Sequence, residues 1–415
     1  MSHFVHRMIL VVVFFASLVP TILAQTITFT TFDVPGGNLT IGRRINNAGQ
    51  IVGEYYDSVG AHGFLLSNST YNTINAPAGD GFTYAGDIDA SGQIIVGSYG
   101  RGGVHGFVLQ NGVFTTVDPP GSVNGGTNGI NNNGVMVGGY NDGTFTHGYI
   151  YNGSNFTILN VPGSSAAYAG GNNDAGQVVG TYFTNSTPAD FSNPHGFVYA
   201  NGTYTTFNVP GATGTYPYDI NNDGTIVGDF VDDATGDHHF LYKAGIFTTF
   251  DVPGTIHSQA FGINDVGVIV GDFTDSTGTH GFIRTAVTNF ASFAAKAQVK
   301  IGPKLNDDKF AVDSTIQLGA ASDGINPLTE NVSFQVGTFS TTIPAGSFTV
   351  KKGKVMPFVF QGQINGVNLN VTIQLLSGGL FTFKASGDSA DLTRTGNPIT
   401  VKLLIGNDGG GTTAM

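Results

Sequence analysis

The sequence predicts an all-β chain: a six-bladed β-propeller closed by its N-terminal strand, followed by a C-terminal β-sandwich. Three observations carry that expectation. One unit recurs six times, with landmark histidines 42 to 48 residues apart. The octapeptide FTTFDVPG stands at 29–36 and again at 247–254. The composition, with 62 Gly, 32 Phe and 15 Tyr in 415 residues and only 11% charged, favours short strands and tight turns over helices.

The first 24 residues read as a secretory signal peptide. A weakly basic start with Arg7 precedes the apolar run Met8–Val19, and Ala24 offers a small residue for cleavage. The run is short for a membrane span, and no second run of spanning length follows. The expected location is therefore secreted, extracellular or at the cell surface. With no cysteine in the chain, disulfides, thiolate chemistry and Cys-ligated metals are excluded.

Residues 25–285 are read as the propeller. Each unit has an INNxG-like turn, ending at Gly49, Gly92, Gly134, Gly176, Gly224 and Gly267. A Val-Gly pair follows, at Gly53, Gly97, Gly138, Gly180, Gly228 and Gly271. A His then stands two residues before an aromatic: His62, His105, His147, His195, His238 and His280. A period of about 40–45 residues is that of propeller blades. Within 218–252 the unit divides into four strands. The turn NNDG leads into TIVGDFV, DDATG separates it from HHFLYK, and Ala244-Gly245 makes a hairpin into IFTTFDV. Val-Pro-Gly then ends the strand in a type II turn.

The chain starts on a fourth strand, Thr28–Val34, and the sixth unit stops near Thr285 without one. The leading strand is therefore expected to dock on the last sheet, closing a ring and covering an open edge.

The units resemble the bacterial "probable extracellular repeat" family, named HAF. The signature here is His62-Gly63-Phe64, His105-Gly106-Phe107 and His280-Gly281-Phe282, with Tyr149 and His239 as variants in the third and fifth units. The resemblance covers about residues 29–285. It implies an exported bacterial protein with propeller-like repeats, and it implies no established activity.

A linker is expected at 286–296, where the charge balance changes. Residues 25–285 hold 5 Lys/Arg against 20 Asp/Glu, and residues 286–415 hold 10 against 8. The acidic first part argues against nucleic acid, whose phosphates need clustered cations. Residues 297–406 show seven or so short strands and are read as the sandwich. The Gly-rich tail 407–415 is expected to be disordered.

The six repeat histidines are read as structural. One per unit at the same strand start suits a tautomer-fixing bond within each blade, whereas a metal needs its ligands around one point. Asx-rich turns such as DIDASG (87–92), NNDG (221–224), 229–237 and DFTDSTG (272–278) resemble half of a calcium loop without its bidentate Glu. Calcium is the one cofactor they suggest, and turn chemistry accounts for them without it. No nucleophile elbow or Cys nucleophile is found.

A ligand site must break the repeat. The residues that do so are Arg43, Arg44, Glu54, Tyr84, Arg101, Tyr168, Tyr216 and His257, with an insertion inside Phe183–Pro194. These define a candidate ligand face on the side of the loops that follow each Val-Pro-Gly. Asn-x-Ser/Thr sequons, among them Asn68, Asn185 and Asn370, follow from the Asn- and Thr-rich composition. The function expected is binding or scaffolding, with an extracellular glycan or surface protein as partner. The alternatives are a polysaccharide hydrolase or lyase using carboxylate and Arg/Tyr/His groups, and a purely structural surface component.

Overall fold

The structure is a computed structural model. It describes residues 26–414 apart from 78–80, 101–102, 185–190, 233–235, 303–306, 320–321, 323, 329, 351–355, 377–378, 393–394 and 396–397. The signal-peptide segment, Arg101 and most of the insertion after Phe183 thus lie outside the described residues. Every element among the described residues is a β-strand, numbered β1 to β33.

The first four-stranded antiparallel meander is β2 (Leu39–Ile45), β3 (Ile51–Tyr56), β4 (Ala61–Ser67) and β5 (Thr70–Ile74). Four more sheets of the same order follow over 83–116, 124–159, 166–207 and 214–250. The sixth has three consecutive strands: β22 (His257–Ile263), β23 (Ile269–Thr274) and β24 (Thr279–Asn289). β1 (Thr26–Phe32) pairs antiparallel with β24, Thr28 opposite Thr285 and Phe32 opposite Gly281.

The repeated landmarks have separate physical reasons. Each first strand carries a bulge, between Gly42 and Arg44 in the first sheet and at the matching place in the other five. There its backbone leans onto the second strand. A Cβ on Gly53 would lie 1.9 Å from the Ile41 carbonyl, and one on Gly97 2.0 Å from that of Tyr84, so the Val-Gly pair leaves that space empty. The glycine that ends each INNxG-like turn holds a positive φ, from 71° at Gly92 to 80° at Gly224. The aromatic after each His fills the middle of its sheet: Phe64, Phe107, Tyr149, Phe197, Phe240 and Phe282 are at most 1% exposed.

The valine of each Val-Gly pair joins the apolar cluster of the next sheet. Val52 packs with Ile88 and Phe107, Val96 with Ile130, and Val137 with Ala169. Val179 packs with Ile220 and Val227 with Ile263, while Val270 of the sixth sheet packs with Ile45 and Phe64 of the first. Turn asparagines repeat the pattern in hydrogen bonds. Asn46 donates to the Asp89 carbonyl, Asn131 to Asn173, Asn173 to Asn221, Asn221 to Asn264, and Asn264 back to Asn46. Asp89 stands where an asparagine would donate from the second sheet to the third, and a carboxylate cannot.

Beyond the sixth sheet lie two further sheets around one apolar core. One is five-stranded, ordered β25 (Ser292–Lys300), β26 (Asp308–Gln317), β31 (Leu380–Ala390), β30 (Val367–Leu375), β29 (Phe358–Ile364). The other runs β28 (Phe339–Ile343), β27 (Val332–Val336), β32 (Ile399–Ile405), β33 (Asp408–Ala414). Phe310, Phe334 and Phe383 meet between them.

Two sequence expectations are corrected here. The supposed linker 286–296 is strand, because β24 runs to Asn289 and β25 begins at Ser292. The supposed disordered tail is β33, paired with β32 throughout and with β24 at Thr288 opposite Asp408. Its glycines serve close packing. A Cβ on Gly409 would stand 3.0 Å from both Leu404 and Val287, and one on Gly410 2.9 Å from the Phe290 ring.

Candidate functional site

The six repeat histidines each lie between two turns of their own sheet. Nδ1 faces an Asx oxygen of the fourth strand: Asn75 at 2.8 Å from His62, Asp118 at 2.8 Å from His105, and Asn160 at 3.2 Å from His147. Asn208 lies 3.0 Å from His195, and Asp251 2.8 Å from His238. Nε2 turns to the loop between the second and third strands, to Asp57, Asp142, Thr184 and Thr277 from His62, His147, His195 and His280. Each ring also lies 5.1–5.5 Å from an aromatic of the second strand, such as Tyr55 or Phe273. For His280 the Nδ1 partner is Asp33, 2.9 Å away and 247 residues earlier, supplied by the leading FTTFDVPG. The six imidazoles thus each bond within their own sheet.

The Asx-rich turns occupy their own oxygens. Asp89 Oδ1 accepts from the amides of Gln93 and Ile94, and Asp275 Oδ1 from the amide and hydroxyl of Thr277. Asp223 accepts from Thr225 and from Lys243 Nζ. Asp275 lies between second and third strands, whereas Asp89 and Asp223 lie in first-to-second-strand turns; on the face that these form, Asp174 and Asp265 accept from Asn132, Asn222 and Asn47. That face surrounds a cavity of about 70 Å³ whose polar lining is largely bonded to itself.

The described residues that break the repeat lie elsewhere, on first strands except for Glu54, which is on the second strand β3. In β2 exposure alternates, with Leu39, Ile41 and Arg43 half-buried and Thr40, Gly42 and Arg44 buried. The bulge puts Arg44 level with Asp87, Gly129, Gly171, Asp219 and Gly262 of the other first strands. Arg44 spans this level. Its Nη1 donates to the Phe261 carbonyl at 2.7 Å, and Nη2 to those of Gly170 at 3.0 Å and Tyr218 at 2.7 Å. Its Nε is 3.4 Å from Asp219 Oδ2. One buried guanidinium therefore ties the first sheet to the fourth, fifth and sixth. Gly262 leaves room for it: a Cβ there would stand 2.8 Å from Arg44 Cα and 3.1 Å from its Cδ.

Asp87 and Asp219 complete this layer, each bridging two sheets. Asp87 accepts from the Ile88 and Ile130 amides, and Asp219 from those of Ile220 and Ile263. Burial raises both carboxyls above the usual range, against the pull of Arg44. Sequence reasoning missed them. The available signal was an acid before the turn-leading Ile in two units, where three others have Gly.

Above Arg44 the column is open to solvent. Arg43, with 31% of its side chain exposed, is pinned to Glu54 by Nε at 2.9 and 3.1 Å and by Nη2, and lies 4.2 Å over the Phe261 ring. Burial would lower the Arg43 guanidinium, but Glu54 and then Asp272 raise it, so it stays charged. Asp272, on β23, sits among Arg43, His257, Glu54 and Asp229. Burial and the neighbouring carboxylates push it up to about 7, while Arg43 and His257 oppose.

One step toward the mouth, Tyr84, Tyr168, Tyr216 and Gln259 stand at the level of Ile41, all half-buried. Tyr84 meets the Tyr56 hydroxyl at 2.7 Å. Burial, with Tyr216 adding, pushes the Tyr168 hydroxyl up to about 12. His257 starts β22 at the exposed rim. Of the eight residues singled out, Arg43, Glu54, Tyr84, Tyr168, Tyr216 and His257 thus lie along one column, with Arg44 as its closed end. Arg101 lies outside the described residues. The column opens on the side of the Val-Pro-Gly connections.

No family model and no curated protein matches the chain. Among solved structures it is similar to TolB from Acinetobacter baumannii, at 12% identity and TM-score 0.41, over 60% of this chain and 63% of that one. The chain thus spans under two thirds of TolB. It is also similar to a mutant Aleuria aurantia lectin in complex with alpha-methyl-L-fucoside, at 13% identity and TM-score 0.34, over 55% of this chain and 78% of that one. A third is YCF48 bound to D1 peptide, at 9% identity and TM-score 0.32, over 86% of this chain and 96% of that one.

Proposed function

We propose that the chain is an exported bacterial binding protein of the HAF-repeat type. Its six sheets form a closed propeller whose axial funnel takes a glycan, and its C-terminal sheets form a sandwich that carries the propeller. Closure is supported by the β1–β24 register, by the His280–Asp33 bond and by Val270 packing against the first sheet. Export rests on the reading of residues 1–24.

The observation that carries the binding function is convergence. Tyr84, Tyr168 and Tyr216 come from three different sheets to one level of the column, above a fixed Arg43–Glu54 pair and beneath His257 at the rim. Aromatic faces with a few oriented polar groups suit a sugar ring, and Arg44 gives the funnel a floor. The opposite face is poorer in free polar groups, because its Asx side chains are bonded to one another.

A glycan array with the mature protein tests this. Binding of a defined set of glycans, lost on Tyr84→Ala and Tyr216→Ala with folding retained, is the expected result. Binding unchanged by both substitutions would move the site off the funnel.

A polysaccharide hydrolase is the second reading. It is favoured by Asp272, whose carboxyl is pushed up to about 7 by burial, with Glu54 adding. Release of reducing ends from a bound polysaccharide, abolished by Glu54→Gln, would establish it in place of simple binding.

A further inference from the structure

We propose that the floor of the axial funnel is a site for a primary ammonium group, so that the glycan it takes carries a free amine at its inserted end. This rests on the funnel reading above and narrows it to amino sugars.

The starting observation is a buried acceptor without a donor. Asp272 is 4% exposed, and its Oδ1 accepts no hydrogen bond. Buried carboxyl oxygens are ordinarily bonded, so a free one just behind the half-buried Arg43 and Gln259 of the column calls for a partner from outside the chain.

The surrounding charges say which partner. The titratable groups around Asp272 are Arg43, Glu54 and His257, with Asp229 beyond. Arg43 is committed to Glu54 and to the face of Phe261. Asp229 Oδ1 is committed to His239 Nδ1 at 2.7 Å and to the Ala260 amide at 3.1 Å. Once Asp272 gives up its proton, one guanidinium, with His257 beside it, stands against the three carboxylates of Glu54, Asp229 and Asp272. That balance attracts a cation and repels a uronate or a sulfated sugar.

A metal ion is the weaker fit. Among the described residues no three His, Asp or Glu side chains are grouped to hold one. An ammonium needs only one strong acceptor and tolerates aromatic neighbours. Tyr218 and Phe261, their rings 5.0 Å apart, lie on the floor, with Tyr84 above. A neutral hydroxyl or an N-acetyl group can bond the protonated carboxyl but brings no charge that would make its proton leave.

The test is isothermal titration of the mature chain at pH 6 with three β-1,4-linked hexamers: glucosamine, N-acetylglucosamine and glucose. Each is run in two buffers of different ionisation enthalpy. The glucosamine hexamer is expected to bind at least about tenfold more tightly than the glucose hexamer. Its binding should release close to one proton, because the ammonium ionises a carboxyl that is largely protonated at that pH. Asp272→Asn should remove both the preference and the proton release while keeping the weaker glucose-hexamer binding. If that variant fails to fold, proton release by the wild-type chain decides alone. Equal affinities, preference for the N-acetylated hexamer, or binding without proton release would overturn the ammonium site and leave the funnel standing. Binding of none of the three would overturn both.

Discussion

Replacing Arg44 by methionine keeps a long side chain in the column but removes donors from the carbonyls of Phe261, Gly170 and Tyr218. It also leaves Asp87 and Asp219 buried with no cation between them. Loss of one partner from a buried charge network costs about 3–5 kcal/mol, so the Arg44→Met propeller should unfold at clearly lower urea than the wild type. An unchanged midpoint would mean that the latch carries little. Asp272, Asp87 and Asp219 set the response to pH. Asp272 and Asp87 have folded carboxyls raised from an unfolded value near 3.8 to about 7, and burial raises Asp219 in the same direction, so the folded state binds extra protons above pH 3.8. As far as these groups decide it, stability should therefore be highest below about pH 3.8, fall steadily as pH rises from there toward 7, and level off above about 8. Asp272→Asn should flatten that fall and be the more stable protein at pH 8, by on the order of 2 kcal/mol. Thermal unfolding from pH 5 to 8 checks both statements. The arginines of the column were legible because they interrupt a repeat of small residues. Asp272 was not, because the fifth unit carries the same Gly-Asp-Phe and the acid passed for repeat background.

Two glycines of the repeat, Gly97 in the second sheet and Gly134 in the first turn of the third, separate close approach from backbone conformation. Gly97→Ala would drive a Cβ to 2.0 Å from the Tyr84 carbonyl and 2.9 Å from the Phe107 ring, both fixed in the middle of a sheet. A loss of roughly 3 kcal/mol or more is expected. Gly134→Ala meets nothing within 4 Å and suffers only its φ of +75°, for a loss of about 1 kcal/mol. Chemical denaturation of the two variants should show that order, and the reverse would discredit the bulge as the reason for the Val-Gly pair. Strands in the repeated part were readable because six copies average out local noise. The C-terminal part has one copy of everything. There β33 was read as disordered, since glycine content alone does not distinguish a loose tail from a strand that neighbours must approach closely.

At the scale of the molecule, the first and last parts of the repeated segment depend on each other. β1 contributes Phe29 to the cluster around Phe282, Phe32 to the cluster around Phe64, and Asp33 to His280. The duplicated octapeptide made this legible, because the sixth unit lacks the strand that the segment before the first supplies. The axial column was less so. Apart from Glu54 its members come from first strands spread over more than 200 residues, and only the register puts them level. The most direct test of closure uses the absence of cysteine from the chain. Thr30 and Ile283 are partners in the β1–β24 register, so Thr30→Cys with Ile283→Cys should form a disulfide on mild oxidation and raise the unfolding temperature. Thr30→Cys with Tyr71→Cys, which tests pairing with the outer strand of the first sheet, should stay reduced. Bridging of the second pair and not the first would contradict the closed ring and, with it, the funnel.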